Sequence, residues 1–326
     1  MNFNNFLVVL FVLVFFKASC DSFELQKEWV SHKEKYNLQF TIDEEAVRFK
    51  VFADNVNKIN EHNSDPNQLY KKGINKFTHL THEEFQLTLA KFPENKPKLR
   101  MASFEDDEEL PDNYDCRTEG LVSTVKDQEG CGSCFAFCSA AALEGMYRKL
   151  HPKEEIPDFS PQQIVDCDKY DGGCEGGWPQ NVYTYVFFNG IETWENYPYA
   201  GKEQECAFDS AKVVMKNAGY RDVPQNRDSL KRALMKNGPC SVAVDASDWY
   251  SYKGGIFTGC NKNINYNHGV LLVGWGVEND QKFWTIKNSW GPSYGEDGYI
   301  RILQNDDPKS EDNCGVQAYG SFPIPR

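Results

Sequence analysis

The first third of the chain carries apolar residues at helical spacing. Leu25 and Trp29 lie four residues apart, and a longer series then recurs at three- and four-residue intervals. Such spacing puts apolar side chains on one face of an amphipathic helix. Asp43 and Glu44 favour a helix start just before the longer series, because acidic side chains stabilise the positive end of a helix dipole. The residues of that predicted face are Ala46, Phe49, Phe52, Val56 and Ile59.

The later part of the chain predicts a central helix and several short strands. After a glycine-rich turn over residues 129–133, the alanines and leucine of residues 134–150 favour a helix that begins at or next to Cys134. Farther on, short segments rich in β-branched and aromatic residues are separated by Gly, Asn and Asp, which is typical of strands. They predict a small antiparallel sheet or barrel, and they span residues 241–244, 269–274, 282–287 and 299–303.

An apolar run near the start predicts a signal peptide. It extends only from Phe6 to Phe16, and small residues precede a cleavage position near Cys20. A transmembrane anchor is the weaker interpretation, because crossing a bilayer takes about 20 apolar residues. We therefore expect entry into the secretory pathway and no membrane anchor. Disulfides persist in that oxidising environment, so the cysteines beyond Cys20 predict disulfide bonds.

Composition divides the remaining chain near residue 105. Cysteine is absent between Cys20 and Cys116 and frequent after that. The polar stretch 93–97 and the acidic run 105–109 indicate a solvated linker that proteases can reach. The net charge of −13 argues against a nucleic-acid partner, because phosphate binding needs a basic surface. We predict a signal peptide over residues 1–20, a helical segment over 21–109 and a second domain over 110–326.

Cys134 and His268 are the candidates for nucleophilic chemistry, although either residue alone is more often structural. A thiol is a useful nucleophile only as the thiolate, which the amides and dipole of a helix N-terminus stabilise. The base must come from His151 or His268, since the second domain has no other histidine. His151 lies at the far end of the Cys134 helix, about 25 Å away at about 1.5 Å per residue. His268 precedes an apolar, strand-like run, so it projects from a strand end.

Asn288 offers the group that orients this base. A neutral imidazole must be held in one tautomer, which an amide achieves, and Trp290 would shelter the contact from water. Cys134, His268 and Asn288 follow one another at separations of 134 and 20 residues. The local sequence around the thiol is Cys131-Gly132-Ser133-Cys134-Phe135, a C-G-S-C-aromatic motif with His and Asn at the expected distance downstream.

These motifs make the second domain similar to the papain and cathepsin cysteine peptidases. The resemblance implies an α+β, papain-like two-lobed fold, with a central nucleophile helix in a helical left lobe and an antiparallel, β-barrel-like right lobe. It also implies hydrolysis through a Cys134 thiolate and His268 imidazolium by way of an acyl-enzyme, with no cofactor and no metal. Gln128 matches the glutamine that forms the oxyanion hole with the Cys134 backbone N–H. The chain is too short between Cys167 and Cys174 for the insertion of cathepsin B-like exopeptidases, which favours an endopeptidase.

The helical segment carries a second, independent resemblance. It reproduces the E-x3-R-x3-F-x2-N-x3-I-x3-N pattern of cathepsin L-like propeptides, followed by Gly73-x-Asn75-x-Phe77. An apolar helix face does not explain the two asparagines of the pattern. Such a propeptide lies backwards along the cleft and blocks it until it is cut off, which implies an autoinhibited zymogen. The matching residues are Glu44, Arg48, Phe52, Asn55, Ile59 and Asn63.

Several further expectations follow from the resemblance alone. The implied partners are protein and peptide substrates, the chain's own propeptide and cystatin-type inhibitors, and the implied enzyme is a monomer in a lysosome-like compartment or outside the cell. A mostly apolar pocket narrowed by two tyrosines would favour aliphatic residues over Phe two positions before the cut. The implied disulfides are Cys131–Cys174, Cys167–Cys206 and Cys260–Cys314. The implied substrate-binding residues are Gly176, Gly177, Trp178, Pro179, Ala243, Tyr266, Gly269, Trp290 and Tyr319.

Three alternatives stay open from the residues. Cys131 and Cys134 have the spacing of half a zinc site, although no second pair completes it. A fourth disulfide between Cys116 and Cys138 is compatible with the sequence, whereas Cys240 is expected to be a free, buried small hydrophobe. A catalytically inactive homologue that only binds peptides would share most of these motifs, but such relatives commonly lack the nucleophile.

His79 stands where similar propeptides carry Asp. A carboxyl titrates near about pH 4 and a histidine near about 6.5, so a switch at His79 would respond at milder acidity. A buried, neutral histidine loses stability in acid, whereas one paired with a carboxylate gains it. We expect self-processing to accelerate below about pH 6, with cleavage before Leu110. In the alternative interpretation, His79 is a solvated loop residue and another protease makes the cut.

Overall fold

The computed structural model describes residues 23–93, 97–104, 109–305, 307 and 312–326. The predicted signal peptide and most of the acidic run lie outside the described residues. Within these ranges, no helix has both the length and the apolar character needed to cross a membrane.

Two helices build the core of the amino-terminal domain. Helix α1 spans residues 23–36 and helix α2 spans Ile42–Ser64. Trp29 of α1 is fully buried and packs on Phe52 of α2, with ring centroids 5.2 Å apart. The predicted α2 face is confirmed at its centre but is wrong at Ala46, which is exposed. At this end of α2, Trp29 is contacted by Glu45, whose Oε1 accepts the indole N–H at 2.7 Å, and not by Ala46.

Asn55 and Asn63, the two asparagines that an apolar helix face does not explain, attach α2 to the chain that follows it. Asn55 donates from Nδ2 to the backbone carbonyls of Thr78 and Leu80, each at 2.9 Å. Asn63 bonds the backbone of Lys72 through both its side-chain oxygen and its nitrogen. These bonds fix the short strand β1, Tyr70–Lys72, and the turn after it, which leads to helix α3, His82–Leu87.

Helix α4 spans Cys134–Leu150, the predicted range, and lies at the centre of the second domain. Every residue from Cys134 to Met146 is buried. Its run of alanines lets neighbours approach closely, and it packs against helices α5 and α6 and strand β6. The other helices of this domain are α5, Pro161–Cys167, α6, Pro179–Phe188, and α7, Arg227–Asn237.

The strands form one sheet in the order β1-β5-β8-β7-β6-β4-β9-β3, with β2 paired to β6. The sheet was predicted to be antiparallel, but β5 and β8 pair in parallel. Strands β6 and β7 lie between them in sequence, so the chain can return beside β5 in the same direction. Strand β1 of the amino-terminal domain extends the sheet through antiparallel pairing with β5. The remaining strands are β2, Tyr114–Asp115, β3, Asn217–Asp222, β4, Cys240–Val244, β5, Tyr252–Phe257, β6, His268–Glu278, β7, Gln281–Lys287, β8, Tyr299–Leu303, and β9, Gly320–Pro325.

Three disulfides join Cys131 to Cys174, Cys167 to Cys206 and Cys260 to Cys314, the pairs that the resemblance implies. The half zinc site is wrong, because the Cys131 sulfur is engaged in a disulfide. Cys116, Cys138 and Cys240 are buried free thiols, so the fourth disulfide is also wrong. Cys240 lies within β4 and fills core volume, as expected for a small hydrophobe.

Candidate active site

Cys134 is the first residue of α4 and is fully buried. Its Sγ accepts the Gly269 backbone N–H at 3.1 Å, and the first-turn amides of Cys134 and Phe135 also face the sulfur. The N-cap residue Ser133 makes no side-chain cap, which leaves these amides available to the sulfur. Burial nevertheless outweighs these donors and raises the pKa of Cys134 to about 11, so the thiol form dominates here.

His268 begins β6, and Asn288 follows the end of the neighbouring strand β7. His268 Nε2 lies 2.7 Å from Asn288 Oδ1, which also accepts the Ser289 backbone N–H at 2.8 Å. The Ser289 N–H identifies this atom as the amide oxygen, which only accepts hydrogen bonds. The imidazole proton therefore lies on Nε2. His268 Nδ1 is buried and has no hydrogen-bond partner among the described residues. Its lone pair is therefore available to a proton.

Two buried indoles enclose the His268–Asn288 contact. Trp290 stacks on the imidazole with centroids 4.8 Å apart and an interplanar angle of 23°. Trp249 meets the same ring edge-on at 6.1 Å. Exclusion of water lowers the pKa of His268 to about 4, although the Asn288 hydrogen bond acts in the opposite direction. No sequence pattern pointed to Trp249, whose partners are distant along the chain.

Gln128 is held in one orientation beside the loop that precedes Cys134, residues 129–133. Its Oε1 accepts the Ser289 hydroxyl at 2.6 Å, and its Nε2 donates to the Cys131 carbonyl at 3.0 Å. The Gln128 backbone N–H donates to the Ser289 carbonyl at 2.8 Å. Ser289 therefore links the glutamine to the segment that carries Asn288. No sequence pattern pointed to Ser289, because a serine beside an asparagine is not part of any motif in this chain.

The amino-terminal domain covers the Trp290 side of this site. Asn75 Nδ2 donates to the Tyr250 carbonyl at 2.6 Å. Phe77 meets the Trp290 ring edge-on at 5.2 Å, and Phe85 does so at 5.6 Å. The Asn75 and Phe77 contacts belong to the segment Gly73-x-Asn75-x-Phe77, so this motif forms part of the interface, and Phe85 adds a contact from α3.

The chain after α3 continues past the loop that precedes Cys134. A Cβ added to Gly132 would lie 3.6 Å from Ala90 Cα. Beyond that point, Lys91 N–H donates to the Glu175 carbonyl at 3.1 Å, and Trp178 Nε1 donates to the Pro93 carbonyl at 2.9 Å. The covering chain thus lies close to both the thiol loop and the 174–178 segment.

Comparison with known proteins identifies both parts of the chain. Residues 110–324 match the papain family cysteine protease domain. The chain belongs to the papain family. Residues 29–85 match the cathepsin propeptide inhibitor domain (I29). This papain-family chain is a cysteine endopeptidase made as a zymogen with an inhibitory propeptide, and its α+β fold is that of procathepsin L structures.

Relatives of this papain-family chain match it along almost its whole length. A cathepsin L-like proteinase of Phaedon cochleariae is 38% identical over 309 residues, covering 92% of this chain and 94% of the relative. The solved structure of digestive procathepsin L 3 from the larval midgut of Tenebrio molitor aligns with a TM-score of 0.84 at 35% identity, covering 92% of this chain and 99% of that one. A recombinant stem bromelain precursor aligns with a TM-score of 0.84 at 33% identity, covering 93% and 99%.

Most of the expected substrate-binding residues of this papain-family chain fall into two groups. In the first group, the Tyr319 ring contacts two others, with its centroid 4.8 Å from that of Tyr266 and 5.6 Å from that of Trp178. Ala243 and Gly269 are register partners on β4 and β6. The remaining positions are Pro179 at the start of α6, Gly176 and Gly177 just before it, and Trp290 on His268. His151 lies outside the site, at the C-terminal end of α4.

Proposed function

We propose that Cys134 is the nucleophile of this endopeptidase and that His268 transfers the protons. The observation that carries the proposal is the state of the imidazole: Asn288 holds Nε2, and buried Nδ1 is unpartnered within the described part of the chain. Cys134 Sγ accepts the N–H of Gly269, the residue next to His268. A base with one free nitrogen and a thiol at a helix N-terminus form the pair that acyl transfer needs.

The reaction then proceeds in two halves. The Cys134 thiolate attacks the peptide carbonyl carbon, the C–N bond breaks, and the leaving amine takes the proton from the His268 imidazolium. A thioester acyl-enzyme remains. Water then attacks the thioester as His268 accepts a proton from it, and the C–S bond breaks to release the acid and restore the thiolate–imidazolium pair. Gln128 Nε2 and the Cys134 backbone N–H are the proposed donors to the carbonyl oxygen as it gains negative charge.

Removal of the propeptide would activate the pair by admitting water. Burial is the first cause of both pKa shifts, the rise at Cys134 and the fall at His268. Hydration moves both pKa values back towards their ordinary ranges, which favours transfer of the thiol proton to the imidazole. The zymogen is therefore inhibited electrostatically as well as sterically.

We propose the boundaries 1–20 for the signal peptide, 21–109 for the propeptide and 110–326 for the mature enzyme. The match of the protease domain from residue 110 supports the second boundary. Three disulfides favour maturation along the secretory pathway, with activity in a lysosome-like compartment or outside the cell. The proposed enzyme is a monomer that cleaves proteins and peptides and is inhibited by its own propeptide and by cystatin-type proteins.

The pocket for the residue two positions before the cut is proposed at the three-ring cluster. Trp178, Tyr266 and Tyr319 supply an apolar wall, with Ala243, Gly269 and Pro179 as the smaller lining residues. Phe92 of the propeptide packs on Trp178 at 4.5 Å, which supports an affinity of this wall for apolar side chains. Two tyrosines occupy volume that a phenylalanine ring would need, so aliphatic residues are preferred.

Alkylation of the processed protein tests the nucleophile. An active-site-directed epoxide should modify one thiol and abolish hydrolysis in the same proportion. Cys134→Ala should remove both labelling and turnover, and Cys134→Ser should be nearly as inactive, because a hydroxyl is hardly ionised near neutral pH. Cys240→Ala is the matched control, since Cys240 is also a buried free thiol. Turnover by purified Cys134→Ala would refute the mechanism, and an unreactive wild-type thiol would favour the inactive peptide-binding homologue.

A further inference from the structure

Two aspartates in the loop between α5 and α6, Asp168 and Asp171, each have one carboxyl oxygen with a hydrogen-bond donor and one without. Asp168 Oδ1 accepts the Tyr170 N–H at 2.9 Å. Asp171 Oδ1 accepts the Trp178 N–H at 3.0 Å and the Asn181 side-chain amide at 2.8 Å. The second oxygen of each carboxyl, Oδ2, is buried and has no donor among the described residues. The cluster is otherwise fully bonded, so these two oxygens need an explanation.

Asp168 and Asp171 lie three residues apart in this loop, and each carboxyl shifts the pKa of the other. Ionised carboxylates only accept hydrogen bonds, so two of them cannot bond, whereas a protonated carboxyl donates to its neighbour. One proton between the groups would satisfy both orphaned oxygens. We propose that Asp168 and Asp171 share one proton and that Asp171 is a positioning residue for the substrate-binding backbone at Gly177 and Trp178.

The surroundings favour retention of that proton. Burial is the first cause of the raised pKa of both groups, and at Asp171 the charge of Asp168 raises it further. The nearby cation, Lys169, donates to the Asp166 carbonyl at 2.9 Å and only partly offsets this effect on Asp168. Tyr185 of α6, whose own pKa the Asp168 charge raises, Glu203 beside Gly173 and Glu175 beside Gly172 also face the loop.

The segment that this pair supports lies between it and the cleft. A Cβ added to Gly177 would lie 2.4 Å from Asp171 Cγ, so the Gly177 backbone rests directly on the carboxyl. A Cβ added to Gly176 would lie 2.1 Å from the Lys91 carbonyl oxygen of the propeptide. The carboxyl pair therefore backs the wall on which the propeptide lies. If the propeptide occupies the substrate cleft, as the proposed function requires, substrate meets the same wall after activation.

The pH dependence follows from the raised pKa. The pair's contribution to stability is complete below the ordinary aspartate pKa of about 3.9 and is lost as pH rises through the raised folded value. Loss of the proton leaves two adjacent buried charges whose repulsion moves Asp171 away from Trp178. We expect the KM for peptides that contact this wall to rise about fivefold between about pH 6 and about pH 9, the size of one hydrogen bond. The kcat should change less, because the reacting groups lie elsewhere.

Asparagine variants of the processed enzyme test this reasoning. Asp171→Asn or Asp168→Asn supplies an amide donor that does not titrate, so the KM should become independent of pH in either variant. Asp171→Ala should raise the KM at every pH. Asp280→Asn, in an exposed turn, is the matched control and should retain the wild-type profile. A pH-dependent KM that persists unchanged in both asparagine variants would overturn the role of the pair.

Infrared spectroscopy of the inactive Cys134→Ala zymogen detects the proton itself. A carboxylic-acid C=O band at neutral pH should disappear in Asp171→Asn, and its absence from the parent would refute the shared proton. This measurement needs no turnover, so it separates failure of the proton hypothesis from failure of the proposed protease mechanism. A divalent cation between two carboxylates is the competing explanation. Loss of wild-type affinity on chelation, restored by calcium, would establish it and overturn the proposal.

Discussion

Acid should weaken the propeptide through two histidines that meet in its core. His32 Nε2 lies 3.3 Å from His79 Nδ1, so one hydrogen at most lies between the two rings. His32 is 4% exposed and stacks against Trp29, with ring centroids 5.8 Å apart. If both rings were protonated, two cations would lie in contact within an aromatic core. The sequence left the sign of the His79 effect open, and burial against a second histidine favours destabilisation in acid.

On balance, the charges around His32 and His79 also lower the pKa of these two histidines. Burial lowers the pKa of both His32 and His79 to about 4, and the Lys35 and Arg48 charges lower it further at His32 and His79 respectively. Glu84 opposes this at His79, but its carboxylate is bonded to Arg48 at 2.6 Å. Because the folded pKa is depressed, the stabilisation is complete above about pH 6.5 and is lost as pH falls towards about 4.

Linkage gives the size of the effect. A histidine with this shift loses about 2 kcal/mol of stability by about pH 5. His79 is partly exposed, and the lowered pKa of His32 already includes the effect of the His79 charge, so we assign about 2 kcal/mol to the whole pair. That corresponds to about a 30-fold increase in the population of the opened propeptide.

Urea unfolding of the Cys134→Ala zymogen measures this loss without proteolysis. Between about pH 7 and about pH 5, the parent should lose about 2 kcal/mol more than a His32→Gln/His79→Gln variant, whose amides do not titrate in this range. His151→Gln is the control, because His151 is exposed in the mature domain. In zymogens that keep Cys134, self-processing should accelerate below about pH 6 only where both histidines are present. Equal losses of stability in parent and double variant would refute the reasoning, as would unchanged processing profiles.

Three other variants test the site and the interface. Gln128→Ala should lower kcat by about 10²- to 10³-fold with a smaller change in KM, as expected for one oxyanion donor, and steady-state kinetics would show whether KM changes instead. Tyr319→Ala should admit Phe two positions before the cut, because it removes one ring of the cluster; profiling with a peptide library would expose an unchanged preference or a preference for Arg. Asn75→Ala should weaken inhibition by the propeptide about 5- to 10-fold through loss of its bond to Tyr250, whereas exposed Asn67→Ala should leave the inhibition constant unchanged.

Local patterns predicted the elements well where local physics decides them. The α4 bounds were predictable because the preceding glycines and the following alanines act within a few residues. The strand at residues 299–303 was predictable for the same reason. The sheet order was not, because pairing joins segments far apart, and the parallel β5–β8 pair has no local signal.

At the site, the sequence likewise predicted which residues take part but not which residues they contact. Spacing and resemblance brought Cys134, His268 and Asn288 forward as candidates. They could not predict that Ser289 fixes Gln128 or that His32 meets His79, because each contact joins residues distant in sequence. They also could not predict that burial raises the pKa of Cys134 in the zymogen, against the effect of the helix N-terminus. Desolvation depends on the whole fold, which a local motif does not contain.

The pairing of β1 with β5 has a consequence for the protein after maturation. When the propeptide leaves, β5 loses its neighbour and becomes an edge strand, which is a template for aggregation. Its sequence limits that risk: Lys253 is exposed, Gly255 has a φ of 92°, and the register shifts opposite Lys71 and Lys72. A charged, kinked edge of this kind is a poor surface for adding another strand. The features that make the propeptide strand short and removable also help to keep the mature enzyme from self-association.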